Sequence, residues 1–170
     1  WMSLAGVVNS HLIAAQLISR YGTEEQRAQW LPQMAAATRR GGFSLSEHAS
    51  GSDAGALRCK AVRDGDEWII NGHKWFSSNA RFASFYITMV VTNTDVSAYQ
   101  GMSMFIVPAE TPGVEIIRNV GLGTEESGEG THGYVRYENV RVPADHLLGD
   151  EGGAFVIAQT RLGGGRIHHA

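Results

Sequence analysis

Two short segments gather the hydroxyls, small residues and rings that could hold a ligand. The first, Phe43-Ser44-Leu45-Ser46-Glu47-His48-Ala49-Ser50-Gly51-Ser52-Asp53, runs from an apolar stretch into a loop of small hydroxylated residues. Glycine and serine in such a loop let backbone N–H groups and hydroxyls come close to the polar edge of a flat ligand. By composition alone the same loop also reads as a surface turn in which Ser and Asp cap neighbouring backbone. The second segment, Asn71-Gly72-His73-Lys74-Trp75-Phe76-Ser77-Ser78-Asn79, delivers two adjacent rings and two serines to one strand end. Neighbours on a strand face opposite sides, so the spacing predicts one ring in the core and the other free to cover a ligand; the alternative is that both only pack.

Several other patterns fail on context. Gly128-Glu129-Gly130-Thr131-His132-Gly133 spells a dinucleotide fingerprint, yet an acidic Gly-rich loop precedes it and a strand-like run follows. The phosphate site needs a strand before and a helix N-terminus after, so this is read as a turn. Ser46, Glu47 and His48 are consecutive and cannot relay a proton as a triad does. His168 and His169 point about 100° apart on a helix, a poor metal pair. His11 reads as a packed or solvent-edge residue, and Lys74 and Arg81 as residues of solvated faces.

The elements that must position the two segments change character along the chain. Leu4, Val7, Val8, His11, Leu12, Ala15 and Ile18 recur at helical spacing up to Tyr21-Gly22. Thr23 with Gln26 forms a capping-box pattern ahead of Glu24 and Glu25, and Pro32 can open a further turn through about Arg39. From Gly41 the grammar is β-rich: runs at 42–46, 56–63, 68–70, 75–77, 85–92, 102–107, 114–117 and 131–137 are divided by Asp64-Gly65, Asn71-Gly72 and Pro112-Gly113. Residues 67–70 and 73–77 around Asn71-Gly72 predict a hairpin with a type I′ turn. After Val142-Pro143 the pattern turns helical again, with Phe155, Ile157, Ala158 and Leu162 apolar.

The 170 residues, 43% hydrophobic and 18% charged, are ordinary for a globular chain. A net charge of −3 without a run of Lys or Arg leaves no basic footprint for nucleic acid or an anionic membrane. The longest apolar stretch, Phe82 to Val91, is too short to span a bilayer. A lone Cys59 and the lack of a secretory pattern favour an intracellular, reducing setting. Helical pattern already running at Trp1 and still running at Ala170 predicts a piece of a longer polypeptide.

Taken together, Phe43–Asp53 and Asn71–Asn79 resemble the acyl-CoA dehydrogenase family. Its signature hydrophobic-x-x-Thr/Ser-Glu-x-x-x-Gly-Ser-Asp matches the first in order and spacing, and its Asn-Gly-x-Lys-x-Trp-x-Ser/Thr-Asn element matches the second. Tyr21-Gly22-Thr23-Glu24-Glu25-Gln26 with Trp30-Leu31-Pro32 resembles the helix pair before the family's β domain. Asn139-Val140-Arg141-Val142-Pro143 and Leu148-Gly149 through Phe155 resemble the exit from it. The ending Arg161 to His169 is similar to the branch containing family members 10 and 11. Departures are His48 where the family commonly has Pro, Phe76 where it commonly has Trp, and Gly164 where that branch usually has Pro.

The resemblance implies an α+β fold: an antiparallel β-barrel or sandwich flanked by helices. Residues 1–40 would end an N-terminal helical domain, 41–149 form the central β domain, and 150–170 begin a C-terminal helical domain. It implies FAD as cofactor and an acyl-CoA thioester as substrate, oxidised between the α and β carbons. Phe43, Leu45 and Ser46 would line the flavin edge, Gly51 and Ser52 would stand where the two sites meet, and Ser52 would touch the thioester ligand. Phe76, Ser77 and Ser78 would form a second flavin-contact strand, Ser78 near the redox-active nitrogen. Gly163 and Arg166 would contact the CoA portion, with Arg166 as polar anchor. The family's catalytic carboxylate lies in the C-terminal domain or, in a minority, just before that arginine, where Gly165 stands, so no catalytic base is identified within the 170 residues. An electron-transfer flavoprotein or similar acceptor, a homo-oligomer, and a cytoplasmic, mitochondrial or peroxisomal location are implied likewise. The competing readings are an acyl-CoA oxidase-like flavoenzyme on the same scaffold and a non-catalytic β-barrel interaction module.

Overall fold

The computed structural model describes all residues except 1, 122, 124, 127 and 161–170. Two helices, α1 (Met2–Tyr21) and α2 (Glu24–Ala35), lead into eight strands. These are β1 (Gly41–Ser44), β2 (Lys60–Asp64), β3 (Glu67–Ser78), β4 (Phe85–Val91), β5 (Met102–Pro108), β6 (Val114–Val120), β7 (His132–Pro143) and β8 (Leu147–Leu148). A further helix, α3, covers residues 154–160.

Between α1 and α2 the chain turns at Gly22, where a Cβ would stand 2.5 Å from the Ile18 carbonyl oxygen. The capping box forms: Gln26 N donates to Thr23 Oγ1 at 3.1 Å and Thr23 N to Gln26 Oε1 at 3.2 Å. The Gln26 amide nitrogen then donates to the Asp145 and Leu147 carbonyls, at 2.6 and 2.8 Å, which fastens α2 to β8. Pro32 does not open a separate turn. It sits inside α2, in the last turn, and the helix closes just beyond it, with Ala37 at a φ of 55°.

The strands form a mixed sheet in the order β6-β7-β3-β2-β4-β5-β8, with β1 on β4. Five pairings are antiparallel, as the sequence predicts, and two are parallel, β1 with β4 and β2 with β4. The intervening β2–β3 excursion serves as the crossover that a parallel pair requires. The sheet folds into two layers joined where Lys60 pairs with Val91, and it does not close.

Strand β4 has both faces covered. Phe85, Ile87 and Met89 face α1, α2 and α3 in a core with Leu17, Ile18, Trp30, Met34 and Ile157. Tyr86 and Val90 face the other layer, in a core with Trp68, Ile70, Phe105, Val135, Tyr137, Val140 and Val142. Strand β5 repeats the division, Met102, Met104 and Ile106 one way and Phe105 and Val107 the other. Each such side chain contributes roughly 1.5–3 kcal/mol on full burial, so two continuous cores hold the β layers to each other and to the helices.

The predicted hairpin at Asn71-Gly72 is absent: residues 67–78 are one strand along β7. Gly72 is needed for close approach, since a Cβ there would lie 2.7 Å from Cys59 Cα. The real β2–β3 turn is at Gly65, with a φ of 62°. Among the described residues no helix is long and apolar enough to cross a membrane, and no cluster of three or more His, Cys, Asp or Glu could hold a metal ion.

Candidate functional site

The two segments singled out above meet at one end of the β layers. Trp75 N donates to Ser46 O at 2.7 Å, and the Ser44 and Ser77 hydroxyls are 2.7 Å apart. Tyr137 Oη donates to Ser44 Oγ at 3.3 Å and lies 3.1 Å from Thr88 Oγ1, so four hydroxyls form a buried chain between the layers. Burial pushes the Tyr137 phenol well above its usual range, against smaller opposing effects of its Ser44 and Thr88 hydrogen bonds.

A buried ion pair ties the same segments. Lys74 Nζ lies 2.8 Å from Glu47 Oε1, with the side chains 0% and 8% exposed. The ammonium also donates to Leu45 O at 3.0 Å, and the carboxylate accepts from Arg58 N at 2.7 Å and Cys59 N at 2.9 Å. Lys74 is therefore not on a solvated face as expected. Its burial was legible in the alternation Trp68, Ile70, Gly72, Lys74, which places all four on one side of β3. With Glu47 engaged there and His48 exposed against Trp75, Ser46-Glu47-His48 is no triad.

Beyond Lys74 the strand bulges. Lys74 pairs with Val135 and Ser77 with Gly133, three steps on β3 against two on β7, and Phe76 takes a φ of 53°. The extra residue cancels the alternation, so neither ring enters a core cluster: Trp75 is half-buried and Phe76 is 45% exposed. The expectation that one ring is buried is corrected accordingly. The two rings contact edge to face at 5.3 Å, Trp75 also meets Tyr134 at 4.8 Å, and the Arg118 guanidinium lies over Trp75 at 5.2 Å. Ser77 turns inward, while Ser78, half-buried, has its hydroxyl 3.0 Å from His132 Nδ1.

Phe43 is 8% exposed and belongs to the helix-facing core, and Ser77 is committed to Ser44, so neither side chain reaches the surface that Phe76 occupies. Leu45, Ser46 and Ser78 are partly exposed beside it. Gly51 and Ser52 line a cavity of about 250 Å³ with Leu45, Asp53, Ala54, Gly55, Tyr99, Phe155, Ala158 and Gln159, between the signature loop and α3. Gly163 and Arg166, and with them Gly165, His168 and His169, lie outside the described residues. His11 accepts from Gly41 N at Nδ1, 3.4 Å, and donates from Nε2 to Met34 O, 3.2 Å, as a packed residue would. Strand β7 begins within Gly128–Gly133, at His132, with no helix after the glycines, which removes the dinucleotide reading.

Sequence comparison bears on the same segments. The family model described as "Acyl-CoA dehydrogenase, middle domain" matches residues 42–140, and "Acyl-CoA dehydrogenase, N-terminal domain" matches residues 1–38. The chain belongs to the acyl-CoA dehydrogenase family. It is 45% identical over 157 residues to the probable acyl-CoA dehydrogenase FadE2 of Mycobacterium tuberculosis, covering 91% of this chain and 38% of that protein. With acyl-CoA dehydrogenase family member 11 of Homo sapiens it is 40% identical over 159 residues, 91% of this chain and 20% of that one. The crystal structure of acyl-CoA dehydrogenase from Geobacillus kaustophilus superposes with a TM-score of 0.86 at 30% identity, over 94% of this chain and 42% of that one. The chain thus spans well under half the length of these acyl-CoA dehydrogenase relatives.

Proposed function

We propose that residues 1–170 form part of a longer FAD-dependent acyl-CoA dehydrogenase and supply one wall of its FAD and thioester site. The observation that supports this reading is the junction of the signature loop with the bulged strand, sealed by Ser44–Ser77, Ser46–Trp75 and Glu47–Lys74. A half-exposed ring on a positive-φ bulge, flanked by partly exposed serine hydroxyls, suits a flat heteroaromatic group with polar edges. A non-catalytic module has no need of such an edge.

Bound FAD would supply the acceptor for the hydride leaving the β carbon of the thioester. The chain's own residues then have separable tasks. Phe76 covers the flavin plane and excludes water, while Ser46, Leu45 and Ser78 meet its polar edge through main-chain and hydroxyl groups. Phe has no indole N–H, so the ring contributes stacking alone. The cavity between Ser52 and α3 leads the acyl-CoA toward that edge, with Gly51 and Ser52 on one side and Phe155, Ala158 and Gln159 on the other. Gly163 and Arg166 would meet the CoA portion beyond α3. The base that removes the α proton is placed outside this chain, because Gly165 stands where a minority of the family carries it. In this reading 1–40, 41–149 and 150–170 belong to the N-terminal, central and C-terminal domains of a homo-oligomer that passes electrons to an electron-transfer flavoprotein or similar acceptor.

The test is anaerobic addition of acyl-CoA thioesters to the purified full-length protein. A yellow chromophore that bleaches, with turnover on addition of an artificial electron acceptor confined to the full-length protein and lacking in residues 1–170, supports the reading. A full-length protein that stays colourless after incubation with excess FAD refutes it.

A further inference from the structure

At the start of β7, His132 pairs across the ladder with Ser78 at the end of β3, and its Nδ1 lies 3.0 Å from the Ser78 hydroxyl. The imidazole also packs edge to face against Phe76, with ring centroids 6.0 Å apart. One side chain therefore touches both groups that the preceding reading sets against the flavin. A serine hydroxyl has one hydrogen and two lone pairs, and a neutral imidazole nitrogen either accepts or donates according to its tautomer. When Nδ1 is unprotonated it accepts the Ser78 hydrogen, and the serine can offer only a lone pair to a ligand. When His132 is protonated, Nδ1–H donates to Ser78 Oγ, and the hydroxyl hydrogen is free to turn outward.

We propose that His132 is a positioning residue that sets, through its protonation state, whether Ser78 donates or accepts a hydrogen bond at the flavin's redox-active edge. The inference rests on the flavoprotein reading above and adds to it a dependence on pH. Histidine is suited to this because the unperturbed side chain changes charge between about pH 5 and 8. Across the ladder β3 contributes Phe76 and Ser78, which are uncharged. On β6 the nearest charged side chain in sequence is Arg118, over Trp75; after β3 comes Arg81, 3.7 Å from Glu129 of the loop before β7, a loop that also carries Glu125 and Glu126. The remaining histidines on neighbouring elements have other contacts: His73 with Tyr134, His48 with Trp75, and His11 on α1 with Met34 and Gly41.

The experiment follows the visible absorption of the oxidised flavin in the full-length protein from about pH 5 to pH 8.5, the range in which histidine titrates. The expected result is a spectral shift with one inflection, lost in His132→Phe and in Ser78→Ala and retained in His48→Ala and His73→Ala. Ser78→Ala is the decisive arm, since it keeps the histidine charge and removes the hydroxyl. A shift that survives in Ser78→Ala means that the imidazolium acts by charge alone, and it overturns the proposal. If His132→Phe fails to hold flavin, His132→Asn, which keeps a polar atom near the Nδ1 position and does not titrate, takes its place with the same expectation. Wild-type protein that holds flavin with a pH-independent spectrum overturns this proposal and leaves the flavoprotein reading standing. Wild-type protein that never holds flavin overturns both.

Discussion

Removing the Lys74 ammonium is the sharpest perturbation of the joint between the two segments. The carboxylate of Glu47 is 8% exposed and has three donors, Lys74 Nζ, Arg58 N and Cys59 N. In Lys74→Met the methionine fills much of the volume, so the packing loss is small. The carboxylate keeps two backbone N–H partners and loses its only counter-ion within 4 Å among the described residues, a change that costs about 3–5 kcal/mol when one member of a buried pair is removed. That is a large share of the roughly 5–15 kcal/mol that holds a typical domain together. Glu47→Gln should cost a comparable amount for the opposite reason, since the buried ammonium retains only Leu45 O and one neutral oxygen. The double variant Lys74→Met/Glu47→Gln removes both charges, and its one amide oxygen leaves one of the Arg58 and Cys59 N–H groups stranded, at about 1–3 kcal/mol. It should therefore be less damaging than the two single costs added, by a coupling of at least ~1 kcal/mol. Urea unfolding of the full-length protein measures all three. A Lys74→Met protein within about 1 kcal/mol of wild type would refute the view that this pair clamps the loop to the strand.

Three further outcomes follow from the backbone and the buried acids. Gly72→Ala places a Cβ 2.7 Å from Cys59 Cα at a φ of 143°, so it should lower the unfolding free energy more than a conservative core change does, by more than ~3 kcal/mol in urea unfolding. Phe76→Gly relieves a positive φ of 53° and exposes no core, so stability measured without flavin should hold or rise by up to ~1 kcal/mol while flavin retention falls; equal flavin retention would remove Phe76 from the site. Burial raises the Cys59 thiol from 9.0 to about 11 and the Tyr86 phenol from 10.0 to about 12. Both folded values lie above the unfolded ones, so the chain loses stability as pH rises from about 9 to 12 and none on this account below it. Thermal midpoints at stepped pH should show the decline, and Cys59→Ala should flatten its lower part.

Periodicity and turn chemistry made most of the fold legible. The helix pair, its capping box and the apolar strands 85–91 and 102–108 follow from local patterns that tertiary packing reinforces. Two strong local signals pointed the wrong way. Asn71-Gly72 reads as a turn because nothing local reveals that Cys59 will lie against Gly72, and Pro32 reads as a helix start because proline is favoured in a first turn, whereas α2 carries it eight residues after its first at the loss of one backbone N–H donor. At the site, the segments were visible but their side-chain directions were not. A bulge adds one residue to one strand of a pair, and that count exists only once the partner is known. For this reason the family pattern sets Ser77 at the ligand edge while its hydroxyl is bonded to Ser44, and Lys74 reads as a solvent residue because lysine usually is one, although the alternation indicates its inward direction.

The bulge and the polar core beneath it depend on each other. Were β3 regular after Lys74, Phe76 would share the inward face and Ser77 would point out, breaking the Ser44–Ser77 bond. With the bulge, Ser77 closes the chain of hydroxyls through Ser44, Tyr137 and Thr88, and Phe76 is pushed outward at an unfavourable φ. A non-glycine residue in the left-handed region costs roughly 1–2 kcal/mol, close to what one or two satisfied buried hydrogen bonds return. The buried hydroxyls thus hold the strand in the strained register that presents the ring. Tyr137→Phe, which deletes the hydroxyl joining the two layers and no apolar surface, should on this argument loosen Phe76 as well as destabilise the core. Fluorescence of the adjacent Trp75, 5.3 Å from Phe76, taken as the difference from the matching Trp75→Phe protein because the chain has four tryptophans, reports the first effect, and a Trp75 emission unchanged in Tyr137→Phe would show that the bulge holds its shape without the hydroxyl chain.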